Sequence, residues 1–360
     1  MLALFALVAC NKTSESFTLK VTDLPETLNG TQAYLGLDDA QDPTDSLTIA
    51  DGMVTFTTDL AAGTHGVLLI GQNHLQFAIE AGEFTYQYVE VEGEGSDLKL
   101  TSAPEGSQNQ TISKMNEELA TINKDYQSKY MEAMTALKEA NEDEAEAKRA
   151  AFDQVRTDWM GAINEVAKRY YEGNGDNFVG LIAFQNINFE SDNEMIALYD
   201  QSGDYIKNNS EMKRRYEVAV AAQKTQVGAS FVDYEIKNEL DETVALSSFK
   251  EEGKYLLVDF FASWCGPCKA SMPLLAQINK DYANILNTVS VAVWDKVEPF
   301  KQAVEEHGIT WNSILDTESE AGKVYGISGV PTFILFSPEG EIVVRTHNPE
   351  EVQEFLANVK

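Results

Sequence analysis

The sequence predicts a multidomain protein with three regions in series: an N-terminal β-sandwich or barrel-like domain, a central helical section and a C-terminal α/β domain. Three observations predict this order. Residues 17–103 alternate apolar and polar side chains between Asn-Gly, Asp-Gly and Ala-Gly turns, which is typical of short strands. Residues 104–225 space apolar side chains three and four apart, as amphipathic helices do. Residues 226–360 alternate strand-like and helix-like segments, the pattern of an α/β domain.

The helical section contains two long apolar stripes, through residues 112–126 and 152–170, that predict two long helices packed as a hairpin. Shorter helices are predicted over 178–184, 195–205 and 210–223. Aromatic and methionine side chains on such stripes form a packed core far more often than a cofactor site. The section is therefore expected to act as a spacer.

Length and charge limit the possible partners. A chain of 360 residues has room for two or three domains. Its formal net charge is −31, with acidic residues in excess in every large section. Such a surface repels nucleic acid, so no nucleic-acid partner is expected.

The most informative stretch of the C-terminal region is an apolar run, 256–261, followed by Trp264-Cys265-Gly266-Pro267-Cys268. A buried strand that leads into a helix would place Cys265 at the helix N-terminus, where unpaired N–H groups and the helix dipole favour a thiolate. Pro267 suits the first helical turn, which needs no N–H from it. The spacing lets Cys268 resolve a mixed disulfide formed at Cys265. This pattern predicts dithiol–disulfide chemistry.

Cysteine and histidine counts narrow the chemistry further. The chain has three cysteines and four histidines, and a structural zinc site needs about four such ligands at short spacings. The histidines lie far apart, at positions 65, 74, 307 and 347. No metal and no cofactor are expected, because the Cys265–Cys268 disulfide is itself the redox group.

Several further segments accompany the cysteine motif. Asp259 lies within the apolar run, and Pro273 lies in the helix that follows the cysteines. Gly329-Val330-Pro331-Thr332 precedes another apolar strand, and residues 241–249 (DETVALSSF) lead to Gly253-Lys254. With the cysteine motif, these segments resemble the thioredoxin superfamily, and within it the TlpA/ResA-like envelope oxidoreductases, over residues 226–360.

The resemblance implies a thioredoxin-like fold and a role for each motif residue. Asp259 would be a buried acid that shuttles a proton near Cys268; the alternative is a strand-end carboxylate in water. Pro331 would be a cis-proline facing the disulfide, although a trans loop proline is the more common state of an X–Pro bond. The residues implied to face the substrate are Trp264, Gly266, Pro267, Val330 and Pro331. For Trp264, a position in the core is the alternative.

Residues 1–16 are expected to be a signal and tether. The apolar run 1–9 ends in Leu7-Val8-Ala9-Cys10, which resembles a bacterial lipoprotein signal with lipid attachment at Cys10. The run is too short to span a bilayer, and a buried N-terminal strand is the alternative. The resemblance implies a protein anchored to a bacterial membrane, the outer membrane by preference, with its domains in the periplasm.

These observations favour an envelope-anchored thiol–disulfide oxidoreductase that reduces protein disulfides through Cys265 and Cys268. Its expected partners are disulfide-bearing envelope proteins and a membrane thiol electron donor. A disulfide oxidase or isomerase with the same site is an alternative, as is a surface binding lipoprotein with the C-terminal domain as scaffold. A peroxidase is disfavoured, because residues 258–265 lack the Pro-x-x-x-Thr-x-x-Cys pattern that peroxiredoxins carry.

Overall fold

The computed structural model describes residues 16–37, 42–58, 64–91, 95–141 and 143–359. The described residues form two compact units, one within Met1–Asn188 and Gln201–Ser210, the other within Phe189–Asp200 and Glu211–Lys360. These units group the predicted regions differently, because the long helices fall with the β-rich region and later helical segments fall with the C-terminal domain. The predicted boundaries at 103/104 and 225/226 stay predictions. Cys10 and the apolar run before it lie outside the described residues.

The first unit begins with two four-stranded sheets. The strands are β1 (Phe17–Thr22), β2 (Gln32–Leu37), β3 (Asp45–Thr48), β4 (Val54–Thr58), β5 (Thr64–Ile70), β6 (Asn73–Ile79), β7 (Gly82–Val91) and β8 (Gly95–Ser102). Their orders are β4-β1-β7-β8 and β3-β2-β5-β6, and β1 runs parallel to β7. In β1 every second residue is buried, as the alternation predicts. Leu19 and Phe56 of one sheet and Leu68 and Phe77 of the other share one apolar core.

Two long helices follow, α1 (Gln108–Lys138) and α2 (Ala145–Tyr171), in agreement with the two apolar stripes. Ser107 caps α1 by accepting a hydrogen bond from the backbone N–H of Gln110. The helices pack antiparallel: Trp159 Nε1 donates to Asn123 Oδ1 at 3.0 Å, and Arg169 pairs with Glu118. No helix in the described part of the chain is long and apolar enough to cross a membrane.

Four shorter helices come next: α3 (Phe178–Asn186), α4 (Asp192–Gln201), α5 (Asp204–Lys207) and α6 (Ser210–Lys224). The prediction of a single helix over 195–205 is wrong, because the helix is interrupted between α4 and α5. The break lies at Gly203, whose N–H donates to the carbonyl of Gly175 at 2.8 Å. A Cβ at Gly203 would lie about 2.1 Å from the carboxyl carbon of Asp176, so the close approach requires glycine.

The C-terminal domain has a five-stranded sheet with helices on both faces. Its elements are β9 (Glu235–Lys237), β10 (Thr243–Ala245), β11 (Tyr255–Phe261), α7 (Gly266–Asp281), β12 (Leu286–Ala292), α8 (Val297–Glu306), β13 (Asn312–Leu315), α9 (Ala321–Tyr325), β14 (Thr332–Phe336), β15 (Ile342–Thr346) and α10 (Pro349–Asn358). The strand order is β13-β12-β11-β14-β15; β12 and β13 run parallel to β11, and β14 runs antiparallel to it. The predicted alternation of strand-like and helix-like segments over residues 226–360 is confirmed.

The central strand β11 separates two apolar clusters. Leu257 and Phe261 pack with residues of α7, α8 and α10 on one face, and Val258 and Phe260 pack with Tyr325 of α9 on the other. Because side chains alternate along a strand, Asp259 projects toward the same face as Leu257 and Phe261. The sequence therefore places a carboxyl group beneath α7, the helix that begins next to Cys265.

Candidate active site

Cys265 caps the N-terminus of α7 and forms a disulfide with Cys268. The Cα atoms of the two cysteines are 5.3 Å apart. Cys265 Sγ also accepts a hydrogen bond from the backbone N–H of Cys268 at 3.1 Å, and Pro267 occupies the first turn of the helix. The sulfur that would become a thiolate after reduction is thus within reach of an N–H group at the positive end of α7.

Both cysteines of the disulfide are buried. Cys265 is 5% exposed and Cys268 is 0% exposed. The disulfide turns the Cys265 sulfur toward the buried Cys268, and the carbonyl oxygen of Val330 lies 3.6 Å from the same sulfur. Gly266 and Pro267 beside it are exposed. Cys265 therefore lies just beneath the surface, next to the exposed Gly266 and Pro267.

The Val330–Pro331 loop faces the disulfide, as the resemblance implies. The peptide bond between these residues is cis. Pro331 is buried and Val330 is half-buried. His347 Nδ1 donates to the carbonyl of Pro331 at 2.6 Å, and the hydroxyl of Thr332 donates to the carbonyl of Gly329 at 2.7 Å. These bonds hold the loop against the Cys265 sulfur; the contribution of His347 was not expected from the sequence.

Asp259 is fully buried, in agreement with its place in an apolar run. Burial raises the pKa of its carboxyl from 3.8 to about 7, because the interior disfavours the charged form. The hydroxyl of Ser290 donates to Asp259 Oδ2 at 2.7 Å and lowers the pKa by a smaller amount. A carboxyl with a pKa near neutrality can both accept and release a proton under physiological conditions.

Ser290 is itself held by a third residue. The indole Nε1 of Trp311 donates to Ser290 Oγ at 2.9 Å. Neither Ser290 nor Trp311 was expected at the site from the sequence. The available signal was weak: a serine within the apolar stretch 289–293 pointed to a polar group inside the sheet, but it gave no partner.

The turn between β11 and α7 is fixed from outside by a second set of bonds. The N–H and hydroxyl of Ser263 donate to the Asp295 carboxylate at 2.5 and 2.7 Å. The indole N–H of Trp264 donates to the carbonyl of Trp294 at 3.1 Å, while Trp264 stays 62% exposed. Trp264 therefore presents an exposed aromatic surface beside the cysteine pair. Trp294 and Asp295 are further site residues that the sequence analysis missed.

The arrangement is suited to sulfur chemistry. In the described ranges, no group of three or more His, Cys, Asp or Glu side chains is arranged to hold a metal ion. The structure brings together the predicted residues Cys265, Cys268, Val330 and Pro331, with Trp264 exposed beside them. Asp259 lies on the sheet face that packs against α7. These groups can carry out thiol–disulfide exchange with an internal proton acceptor.

Comparison with known proteins gives a consistent result for this domain. Residues 227–345 match the AhpC/TSA family. Over 122 residues the chain is 32% identical to the thiol-disulfide oxidoreductase ResA of Oceanobacillus iheyensis, a match that covers 32% of this chain and 62% of that protein. ResA of Bacillus subtilis is 27% identical over 128 residues, or 35% of this chain and 70% of that protein. The C-terminal domain is similar to the TlpA/ResA-like proteins of the thioredoxin superfamily.

A solved structure also matches part of the chain. It is the thioredoxin domain of a thiol-disulfide oxidoreductase from Bacteroides vulgatus, with 27% sequence identity and a TM-score of 0.34; the match covers 37% of this chain and 97% of that one. The two ResA relatives are named thiol-disulfide oxidoreductases, and the Cys265–Cys268 disulfide of this chain lies within the residues that match the AhpC/TSA family. The curated match reaches just under two thirds of the Oceanobacillus protein's length.

Proposed function

We propose that this protein is a thiol–disulfide oxidoreductase that reduces disulfide bonds in other proteins. The observation that carries the proposal is the Cys265–Cys268 disulfide at the N-terminus of α7, with the Cys265 sulfur at the surface side of the pair. Relatives that match this domain are named thiol-disulfide oxidoreductases. The Gly-Pro dipeptide between the cysteines is the same as that of thioredoxin. This similarity favours reduction of substrate disulfides over their formation.

The reaction uses the reduced form of the enzyme. The Cys265 thiolate attacks one sulfur of a substrate disulfide; a new S–S bond forms between Cys265 and the substrate, and the other substrate sulfur leaves as a thiolate. The backbone N–H at the start of α7 stabilises the attacking thiolate. The half-buried Val330 offers its backbone to an extended substrate segment, in the manner of an added strand.

The second step releases the product. Cys268 transfers its proton to the Asp259 carboxylate, and its thiolate attacks Cys265 Sγ. The Cys265–Cys268 disulfide forms, the bond to the substrate breaks, and the substrate leaves as a thiolate that takes a proton from water. Two electrons pass from the dithiol to the substrate. A dithiol electron donor at the membrane returns the enzyme to its reduced form.

The setting of the reaction is part of the proposal. Lipid attachment at Cys10 would anchor the protein to a bacterial membrane, the outer membrane by preference, with the redox domain in the periplasm. Its substrates would be disulfide-bearing envelope proteins. We further propose that the two sheets of the N-terminal region form a β-sandwich and that the α1–α2 hairpin acts as a spacer.

Insulin reduction with dithiothreitol as the electron source tests the activity. Cys265→Ser is expected to lower the rate to that of dithiothreitol alone, and Cys268→Ser is expected to accumulate a mixed disulfide with substrate. Cys10→Ser is the matched control, since it removes a cysteine outside the redox pair and should leave the rate in solution unchanged. Full activity in Cys265→Ser would refute the proposal.

The reduction potential tests the direction. The reduction potential of thioredoxin is about −270 mV, and that of the oxidant DsbA is about −120 mV. A potential at the thioredoxin end of this range supports a reductase. A potential near that of DsbA would instead make the protein an oxidase with the same two cysteines.

A further inference from the structure

Three side chains from three segments form one hydrogen-bonded series inside the C-terminal domain, the redox domain of the proposed function. Trp311 Nε1 donates to Ser290 Oγ at 2.9 Å, and the Ser290 hydroxyl donates to Asp259 Oδ2 at 2.7 Å. Ser290 and Asp259 are paired directly across β12 and β11, and both are 0% exposed. A serine hydroxyl has a single proton to donate. Because Trp311 supplies a donor to the serine oxygen, the serine proton is directed to Asp259.

The two oxygens of Asp259 therefore differ. Oδ2 accepts the Ser290 hydrogen bond, whereas the buried Oδ1 makes no hydrogen bond to any group in the described part of the chain. Asp259 projects from the sheet face whose apolar cluster includes Cys265, Cys268 and Met272. A proton that reaches the carboxyl is thus expected on Oδ1, since Oδ2 is already an acceptor.

We propose that Ser290 and Trp311 are positioning residues that hold the Asp259 carboxyl through Oδ2 and leave Oδ1 to exchange a proton with Cys268. This inference rests on the reductase function proposed above. Ser290 stabilises the carboxylate form directly, and Trp311 acts one bond further away by fixing the orientation of the serine hydroxyl.

Other titratable groups have little access to Asp259. The neighbouring strands β12 and β14 carry no titratable side chain. On α7, Cys268 is buried whereas Lys269, Lys280 and Asp281 are exposed, and the acidic and basic side chains of α8 and α10 are exposed as well. On the same sheet face lie Tyr255, at the far end of β11, and Tyr282, after α7; His307, at the end of α8, is half-buried. The two influences on the pKa of Asp259 are burial and the Ser290 hydrogen bond.

Removal of the serine hydroxyl is therefore expected to raise the pKa of Asp259. The usual strength of a hydrogen bond to a charged group corresponds to about 1 to 2 pH units. Ser290→Ala should produce an upward shift of that size. Trp311→Phe should produce a smaller shift in the same direction, because the Ser290 hydroxyl remains but is free to rotate. Ser290→Thr retains the hydroxyl and should restore the wild-type titration.

Carbon-13 NMR of the aspartate carboxyl carbons, recorded against pH on the full-length reduced protein, measures this titration directly; Asp259→Asn assigns the signal. Thr288→Val is the matched control, because Thr288 is another buried hydroxyl on β12, 1% exposed, and its Oγ1 has no hydrogen bond to any described group. Its Asp259 titration should equal that of the wild type. An unchanged titration in Ser290→Ala, or in Trp311→Phe should the alanine variant fail to fold, overturns the inference.

A kinetic measurement connects the titration to the reaction. The rate at which Cys268 resolves a mixed disulfide formed at Cys265 should rise with pH through the pKa of Asp259, and its midpoint should move upward in Ser290→Ala together with the NMR midpoint. A kinetic midpoint that stays in place while the NMR midpoint moves overturns the role of Ser290 in the reaction. Failure of the reductase proposal itself appears separately, as insulin reduction by Cys265→Ser, and does not alter the NMR titration.

Discussion

Replacement of Asp259 by asparagine should make the free energy of unfolding depend less on pH. Burial raises the pKa of this carboxyl from 3.8 to about 7 in the folded protein. Below 3.8 the acid is protonated in both the folded and the unfolded state, so it has no linked effect on stability. As the pH rises from 3.8 to about 7, the unfolded state loses the proton first, and the free energy of unfolding falls. Above about 7 both states are ionised and the loss is complete.

The size of the effect follows from the two pKa values. At about 1.4 kcal/mol per pH unit, full ionisation costs the folded state about 4 kcal/mol. Between about pH 5.5 and pH 8 the same relation gives a loss of about 2 kcal/mol. Asp259→Asn carries no titrating group and should lack this loss. The comparison of two pH values removes any cost of the amide that does not depend on pH.

Urea unfolding of the oxidised protein measures this difference. Tryptophan fluorescence in a Trp159→Phe background reports the redox domain, because the three tryptophans that remain all lie within residues 226–360. Asp281→Asn is the matched control, since Asp281 is an exposed acid at the end of α7, and its effect should stay within about 0.5 kcal/mol. The reasoning is refuted if Asp259→Asn loses as much stability as the wild type between the two pH values.

Two further predictions concern the packing of each unit. Gly326→Ala should destabilise the redox domain by about 3 kcal/mol or more in urea unfolding, because φ is +62° and the new Cβ would lie 2.2 Å from the backbone nitrogen of Ala222. Gly253→Ala has a similar φ of +77° with nothing within 4 Å and should cost only about 1 kcal/mol; equal losses would contradict the packing argument. Asn109→Ala should cost about 3 kcal/mol by circular dichroism, because the buried Asn109 amide bonds both backbone groups of Ala78. The exposed Asn116→Ala on the same helix should change stability by less than about 0.5 kcal/mol.

The strand–turn–helix unit of the redox site could be predicted from the sequence because its signals are local. An apolar run bounded by turn residues indicates a buried strand, and Pro267, two residues after the first cysteine, indicates the start of a helix. The burial of Asp259 followed from its place inside that run. The cis bond before Pro331 is different, since composition favours trans; only the resemblance of the surrounding loop indicated it.

The rest of the site depends on contacts between distant segments. Ser290 faces Asp259 because β12 pairs with β11 in one register, and a shift by one residue would turn Ser290 to the opposite face. Trp311 reaches Ser290 from the loop before β13, a strand of four residues that is too short to give a periodic signal. The break between α4 and α5 was missed for the same kind of reason. A glycine is required at position 203 because a side chain there would clash with Asp176, a residue distant in sequence.

The low exposure of Cys265 restricts which substrates the proposed reaction can use. The sulfur is covered on one side by the carbonyl of Val330 at 3.6 Å, and the turn that carries it is fixed by the bonds from Ser263 to Asp295 and from Trp264 to the Trp294 carbonyl. Because the Val330 loop and the turn between β11 and α7 are both held in place, the substrate has to adapt its shape to reach the sulfur. A disulfide in an extended, locally unfolded segment can lie along Val330 and reach the sulfur, whereas a disulfide inside a compact fold cannot. The proposed reductase should therefore act on incompletely folded proteins faster than on their native forms.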